Sequence, residues 1–249
     1  MKYMLLIFLI LILIIYIKKN IRENFDNKKK IAIYSYNFGN YRNELNSNID
    51  NFKSYPEFDY YFYSDKNIKS KKWNVITVPL KERKKHMNKH RLTTKFYKWK
   101  SIPKELLRYE YIIHIDSTRI RYLNNFSFYK ISKIIDSYPN VSLFLRRHPY
   151  LKNVYGECNK VISNNVDNES NVNIWRKKLF SENYIQKMPH IEACFFIRNI
   201  KDKKLNIIFS KIFDEIIKNK LCRDQLVVPY IFDLYKYEKI KIVDEFSIK

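Results

Sequence analysis

Apolar and polar positions along the chain repeat with two periods, and each period marks a class of element. The apolar run Lys30–Tyr36 stops at the turn cluster Asn37-Phe38-Gly39-Asn40, which predicts a first strand and its loop. The aromatic run Phe58–Asp65 predicts a second strand, and Trp73–Leu80 a third. The β-prone runs Tyr109–Asp116, Val141–Arg146 and His190–Arg198 predict three more. Helical spacing falls between them, over 41–52, 91–100, 126–138, 153–163, 174–184, 202–220 and 223–235. Strands alternating with helices predict an α/β fold, with one mostly parallel sheet flanked by helices. In such sheets ligands collect at the carboxyl ends of the strands.

The amino-terminal end breaks this pattern. From Tyr3 to Ile17 every residue is apolar or aromatic, with Lys2 before the run and Lys18-Lys19 after it. No small-residue cleavage signal follows, so the run predicts an uncleaved membrane anchor rather than a removed signal peptide. The expected organisation is an anchor over 1–19, a polar linker over 20–29 and one catalytic domain over 30–249, with the membrane as a partner through residues 3–17. Basic residues after the run outnumber those before it, which by the charge rule keeps the domain on the cytoplasmic side.

Composition narrows the chemistry. With 249 residues, 46% apolar, the chain has material for one substantial core. The net charge of +23 points to an anionic partner. The abundance of Ile, Asn, Tyr and Lys beside scarce Gly and Ala is also what an A+T-rich coding sequence produces, so no nucleic acid partner is expected from charge alone. A nucleotide diphosphate is served by the same excess. Gly39 and Gly156 are the only glycines, so neither a Walker loop nor a G-x-G-x-x-G turn can be written. Cys158, Cys194 and Cys222 are too widely spaced for a zinc pattern and read as free thiols.

The carboxylates that end strands are the first candidates for chemistry. Asp65 and Asp116 each close a predicted strand and would meet one ligand crevice if those strands are neighbours, although a turn or capping role suits either. His114 shares a strand face with Asp116. Arg119, Arg121, Arg146, Arg147 and His148 form a basic cluster that suits an anionic ligand or a solvated rim. Two further carboxylates stand out. Glu192 enters an apolar strand, which is costly without a partner or a site. Asp224 sits in Arg223-Asp224-Gln225 at a predicted helix start, where a cap is the alternative role.

The stretch Tyr109-Glu-Tyr-Ile-Ile-His-Ile-Asp-Ser117, preceded by Lys95-Phe-Tyr-Lys98 and followed by Arg223-Asp-Gln225, resembles a glycosyltransferase-like family first catalogued as a domain of unknown function and found in plant mucilage-related and ceramidase-like proteins. More broadly it resembles GT-A glycosyltransferases, over most of Lys30 to Tyr235. The resemblance implies a GT-A-like (Rossmann-like) fold and a glycosyltransferase moving sugar from a nucleotide-sugar donor to an acceptor hydroxyl. The donor would be bound by Tyr36, Asn37, Gly39, Asp65, Lys95, Lys98, Asp116, Arg146 and His148. The recurrence of an Asp-Gln pair in these families favours Asp224 over Glu192 as the catalytic base. A divalent metal, Mn or Mg, is implied at Asp116, yet the usual D-x-D reads Asp116-Ser117-Thr118 here. A single carboxylate with substrate phosphates can hold magnesium, and cationic side chains can replace a metal. Anchored members of the broad class usually face a secretory lumen, against the charge rule, so the side of the membrane stays open. A catalytically inactive binding module of the same fold and a membrane-anchored nucleic-acid or nucleotide-binding protein are the rival readings.

Overall fold

The computed structural model describes residues 13, 31–43, 45 and 49–243. Contacts divide the chain into Met1–Lys30 and Ile31–Lys249, and every element named here belongs to the second unit. The expected anchor over 3–17 lies outside the described residues apart from Leu13, as does the linker over 20–29. Among the described residues no helix is long and apolar enough to cross a membrane.

The strands are β1 Ile31–Asn37, β2 Phe58–Ser64, β3 Asn74–Thr77, β4 Tyr111–Ile115, β5 Leu143–Arg147, β6 Ile191–Asn199 and β7 Ile240–Ile242. The helices are α1 Lys89–Lys95, α2 Phe128–Ser137, α3 Val154–Ser163, α4 Glu169–Ser181, α5 Lys203–Lys218 and α6 Val228–Leu234. The strands form one seven-stranded sheet in the order β3-β2-β1-β4-β6-β5-β7. Only β6 runs antiparallel to its neighbours, so the sheet is mostly parallel, as the alternation of strands and helices predicts.

β1 is buried along its whole length because both faces of the sheet are covered. Ile31 and Ile33 face one apolar cluster, with Phe62, Ile113 and α2. Ala32, Tyr34 and Tyr36 face the other side with Tyr61, Tyr63 and Tyr109. Helix α2 shows how the sequence builds this cover. Ser127 caps its first turn by accepting from the Lys130 N–H, and Phe128, Ile131 and Ile135 recur on the buried stripe. Each such side chain contributes about 1.5–3 kcal/mol when removed from water. The largest cluster packs α3, α4, α5 and α6 around Trp99, Trp175, Phe196 and Phe209.

Two expected helices come out differently. Over 41–52 the described residues form only a short 3-10 turn, Tyr41–Asn43, with Arg42 at φ 56°. Asparagine side chains compete with the helix there: Asn37 Oδ1 accepts the Tyr41 N–H and Asn40 Oδ1 accepts the Leu45 N–H. The helix expected over 91–100 starts earlier, capped by Asn88, and widens into a π turn over Phe96–Lys100. Such wide turns interrupt the regular ladder and recur at functional sites. This one buries Lys98 and Trp99 side by side. Strand β7 was not anticipated, because three half-buried residues carry too short a pattern.

Candidate active site

The chain leaves β1 toward β2 and β3 on one side and returns to β4 on the other, although β1 and β4 are parallel neighbours. The connections therefore diverge from the carboxyl ends of these two strands and leave a crevice, the usual ligand position in an open α/β sheet. A cavity of about 550 Å³ lies there, a volume typical of small-molecule sites. Tyr36, Asn37, Gly39, Lys95, Lys98, Asp116, His148, Glu192 and Asp224 all line it.

Asp65 and Arg146 do not line this cavity but stand behind residues that do. β1 separates β2 from β4, so Asp65 and Asp116 are not on adjacent strands. Asp65 Oδ1 instead accepts the Gly39 N–H at 2.8 Å and fixes the turn after β1. Gly39 is needed in that turn: its φ is +72°, and a Cβ would fall 2.6 Å from His90 Nδ1. Arg146 backs Glu192. The register of β5 against β6 shifts between Leu145 and Arg146, which sets Arg146 opposite Glu192. Its Nη1 lies 2.8 Å from Glu192 Oε2, an ion pair rather than an aligned hydrogen bond. Arg119 Nη2 approaches Glu192 Oε1 at 3.7 Å. The acid in the apolar strand thus has both a partner and a cavity to face.

At the centre, one ammonium joins two carboxylates. Lys98 Nζ lies 3.3 Å from Asp116 Oδ1 and 3.2 Å from Asp224 Oδ2. Asp224 Oδ2 also meets Lys95 Nζ at 3.0 Å and accepts from Trp99 Nε1 at 3.0 Å. Burial alone would lower the Lys98 pKa, but Asp116 and then Asp224 reverse it and hold the ammonium above the usual lysine range. Burial would likewise raise Asp224, yet Lys95 and Lys98 hold it well below the usual carboxylate range. For Asp116 the same opposition of burial against Lys98, aided by His114, ends below the usual range. Partial burial, aided by the neighbouring Lys98, lowers Lys95 despite Asp224.

Asp224 is not a cap. It is the first residue of a 3-10 turn, Asp224–Leu226, and its carboxylate is spent on Lys95, Lys98 and Trp99. His114 shares a face with Asp116, its Nε2 lying 2.9 Å from Asp116 Oδ1. Burial lowers its pKa to about 4, so at neutral pH it is an uncharged imidazole whose Nε2–H donates to the carboxylate. His148 Nδ1 accepts two backbone N–H groups, Tyr150 at 3.2 Å and Leu151 at 2.8 Å, which leaves its proton on Nε2. Cys194 and Cys222 also line the cavity, but burial raises both thiols, so neither is an activated nucleophile.

Among the described residues, Lys98 and His114 both meet the Asp116 carboxylate at Oδ1. Among the described residues no group of three or more His, Cys, Asp or Glu side chains could hold a metal ion. A divalent ion at this position would take most of its ligands from substrate phosphates and water.

Sequence reasoning did not mark Trp99, which holds Asp224, or Arg91, which lines the cavity. Trp99 belongs to the π turn, whose geometry has no sequence period of its own. Arg91 was hidden within a basic run, although its place four residues before Lys95 puts both on one helix face.

No family model matches the chain, and no curated protein matches it. Among solved structures, the bifunctional glycosyltransferase WbbM in its apo form aligns with 87% of this chain and 39% of that chain, at 9% identity and a TM-score of 0.48. The chain therefore spans well under half the length of WbbM, and at this level of likeness function has to be argued from the cavity itself.

Proposed function

We propose that the chain is a glycosyltransferase whose nucleotide-sugar donor lies in the cavity at the ends of β1 and β4. The observation that carries the reading is the pair of carboxylates, Asp116 and Asp224, gripped by the buried Lys98 ammonium in that crevice. Buried ion pairs seldom add net stability over apolar packing, so a cluster of this kind facing a cavity is better accounted for by chemistry than by folding. The resemblance of the Tyr109–Ser117, Lys95–Lys98 and Arg223–Gln225 segments to glycosyltransferases supplies the reaction class.

In this reading Lys98 and Lys95 face the diphosphate and stabilise the negative charge that develops as the sugar leaves. Asp116 and Asp224 keep both lysines placed within a low-dielectric site. The base is Glu192 rather than Asp224. Asp224 Oδ2 is taken by Lys95, Lys98 and Trp99 and its side chain is 5% exposed, whereas the Glu192 side chain is 15% exposed and more open to an acceptor. Glu192 faces the same cavity and would take the proton of the acceptor hydroxyl as its oxygen attacks the anomeric carbon. No step in this scheme uses a metal. The apolar run over 3–17 is part of the proposal as a membrane tether.

The locked state of Asp224 also favours a second reading, an inactive module that binds the nucleotide without turning it over. Thermal unfolding of the full chain with uridine, guanosine and cytidine diphosphates tests the binding that both readings share. A concentration-dependent rise in melting temperature with at least one of them is expected. No rise with any of them would remove the nucleotide site.

A further inference from the structure

Arg223 lines the cavity on the wall formed by the segment entering α6. Its position is set from three directions. Asp167 Oδ2 accepts the backbone N–H of Cys222 at 2.5 Å and of Arg223 at 2.8 Å, which pins the main chain. Glu157, on α3, accepts from Arg223 Nε at 2.7 Å through Oε1 and pins the side chain. His190 Nε2 lies 3.4 Å from the other Glu157 oxygen and holds that carboxylate in turn.

The asymmetry of this pair is the informative part. The Glu157 side chain is 1% exposed, whereas the Arg223 side chain is 35% exposed and borders the cavity. A carboxylate taken out of water is costly, and a buried pair of this kind is often replaceable by apolar residues without loss of stability. Glu157 uses only the Nε edge of the guanidinium. The two terminal amino groups keep the forked donor geometry that suits phosphate oxygens. A guanidinium held by a buried acid on one edge and bordering a cavity on the other is ordered before any ligand arrives, which removes the rotamer cost of binding.

We infer that Arg223 is an anion subsite for the diphosphate of the donor and that Glu157 is the positioning residue that orients it. The inference rests on the proposed function, because it takes the diphosphate to lie in this cavity. It adds a third cation to the cavity that Lys95 and Lys98 line, held at Nε by an acid outside that cavity. A plain structural tie between α3 and the segment before α6 is the alternative, and coupling between the two residues separates them.

The test is calorimetric titration of the full chain with inorganic pyrophosphate, which carries the diphosphate and nothing else. Wild type is expected to bind, Arg223→Met and Glu157→Gln each to weaken binding by about 10-fold, as for loss of one charge-assisted contact. In the Arg223→Met background, Glu157→Gln is expected to add less than about 2-fold, since a positioning residue has nothing left to position. Arg223→Met changes a partly exposed side chain, so it remains informative where Glu157→Gln does not fold. Wild-type binding that Arg223→Met leaves unchanged overturns the subsite while the proposed function stands. An undiminished Glu157→Gln effect in the Arg223→Met background overturns the positioning role. Failure of wild type to bind pyrophosphate removes both this inference and the diphosphate site beneath it.

Discussion

Lys98 Nζ lies 3.2 Å from Asp224 Oδ2, and neither side chain is more than 5% exposed. Removing one member of such a pair leaves a buried charge without its partner, which typically costs about 3–5 kcal/mol. Lys98→Met is therefore expected to lose stability on that scale at pH 7, read by chemical denaturation. The loss should narrow in acid. Asp224, with its pKa depressed, contributes stability above the ordinary carboxylate range and loses it only as pH falls through its lowered value. In the variant that pKa rises, and once both forms are protonated the difference closes. Wild-type stability in Lys98→Met would contradict the pairing.

His114 predicts a second pH dependence, of opposite origin. Its pKa falls from 6.5 to about 4 on folding because burial penalises the imidazolium. The unfolded chain thus binds more protons between those values, and the stability His114 contributes is present above about 6.5 and lost as pH falls toward 4. The loss amounts to about 3 kcal/mol. Unfolding free energies of wild type and His114→Gln across pH 4 to 7 should show this slope in wild type and a flatter line in the variant. Equal slopes would place the acid sensitivity elsewhere.

Much of this arrangement was readable from the sequence, and what escaped it escaped for physical reasons. The sheet emerged because β1, β2, β4 and β6 are long apolar runs, and Asp116 emerged because it ends such a run at the carboxyl edge of the sheet, where the crevice of an open α/β sheet lies. Trp99 and the bridging of Asp116 to Asp224 by Lys98 did not, because the two carboxylates are 108 positions apart and only the topology brings them to one nitrogen. Asp65 falls outside this cavity and fixes the turn after β1, because strand ends alone do not say which strand lies between. Over the described residues of 41–52 helical spacing did not become a helix, because asparagine side chains took backbone groups that a helix needs.

Gly39→Ala should lower stability and weaken nucleotide binding together, since the Cβ would meet the His90 ring and the positive φ disfavours any side chain. Adding His90→Ala removes the collision and should recover part of the loss, leaving about 1 kcal/mol from the backbone alone. Thermal unfolding of the two variants checks this. An absence of any recovery would mean that the ring is not what the methyl group strikes.

Glu192→Gln and Asp224→Asn should fail in different ways. Glu192→Gln removes the proton acceptor and is expected to lower turnover by about 10²-fold or more with donor affinity retained. Asp224→Asn leaves Lys95 and Lys98 short of a counter-charge and is expected to lower stability by several kcal/mol, about 3–5 by analogy with other broken buried pairs. Turnover per folded molecule and melting temperature, measured on one preparation of each, separate the roles. A fully active Glu192→Gln would return the role of base to Asp224.

The most direct test of the central claim is release of nucleoside diphosphate from uridine- and guanosine-diphosphate sugars by the wild-type chain and by Asp116→Asn. Asparagine keeps the shape at Asp116 and can still accept from His114, while the charge facing Lys98 is lost. The account predicts turnover of at least one sugar nucleotide by wild type and a fall of about 10²-fold or more per folded molecule in Asp116→Asn. Folded wild-type protein that turns over none of them, or an Asp116→Asn variant as active as wild type, would contradict it.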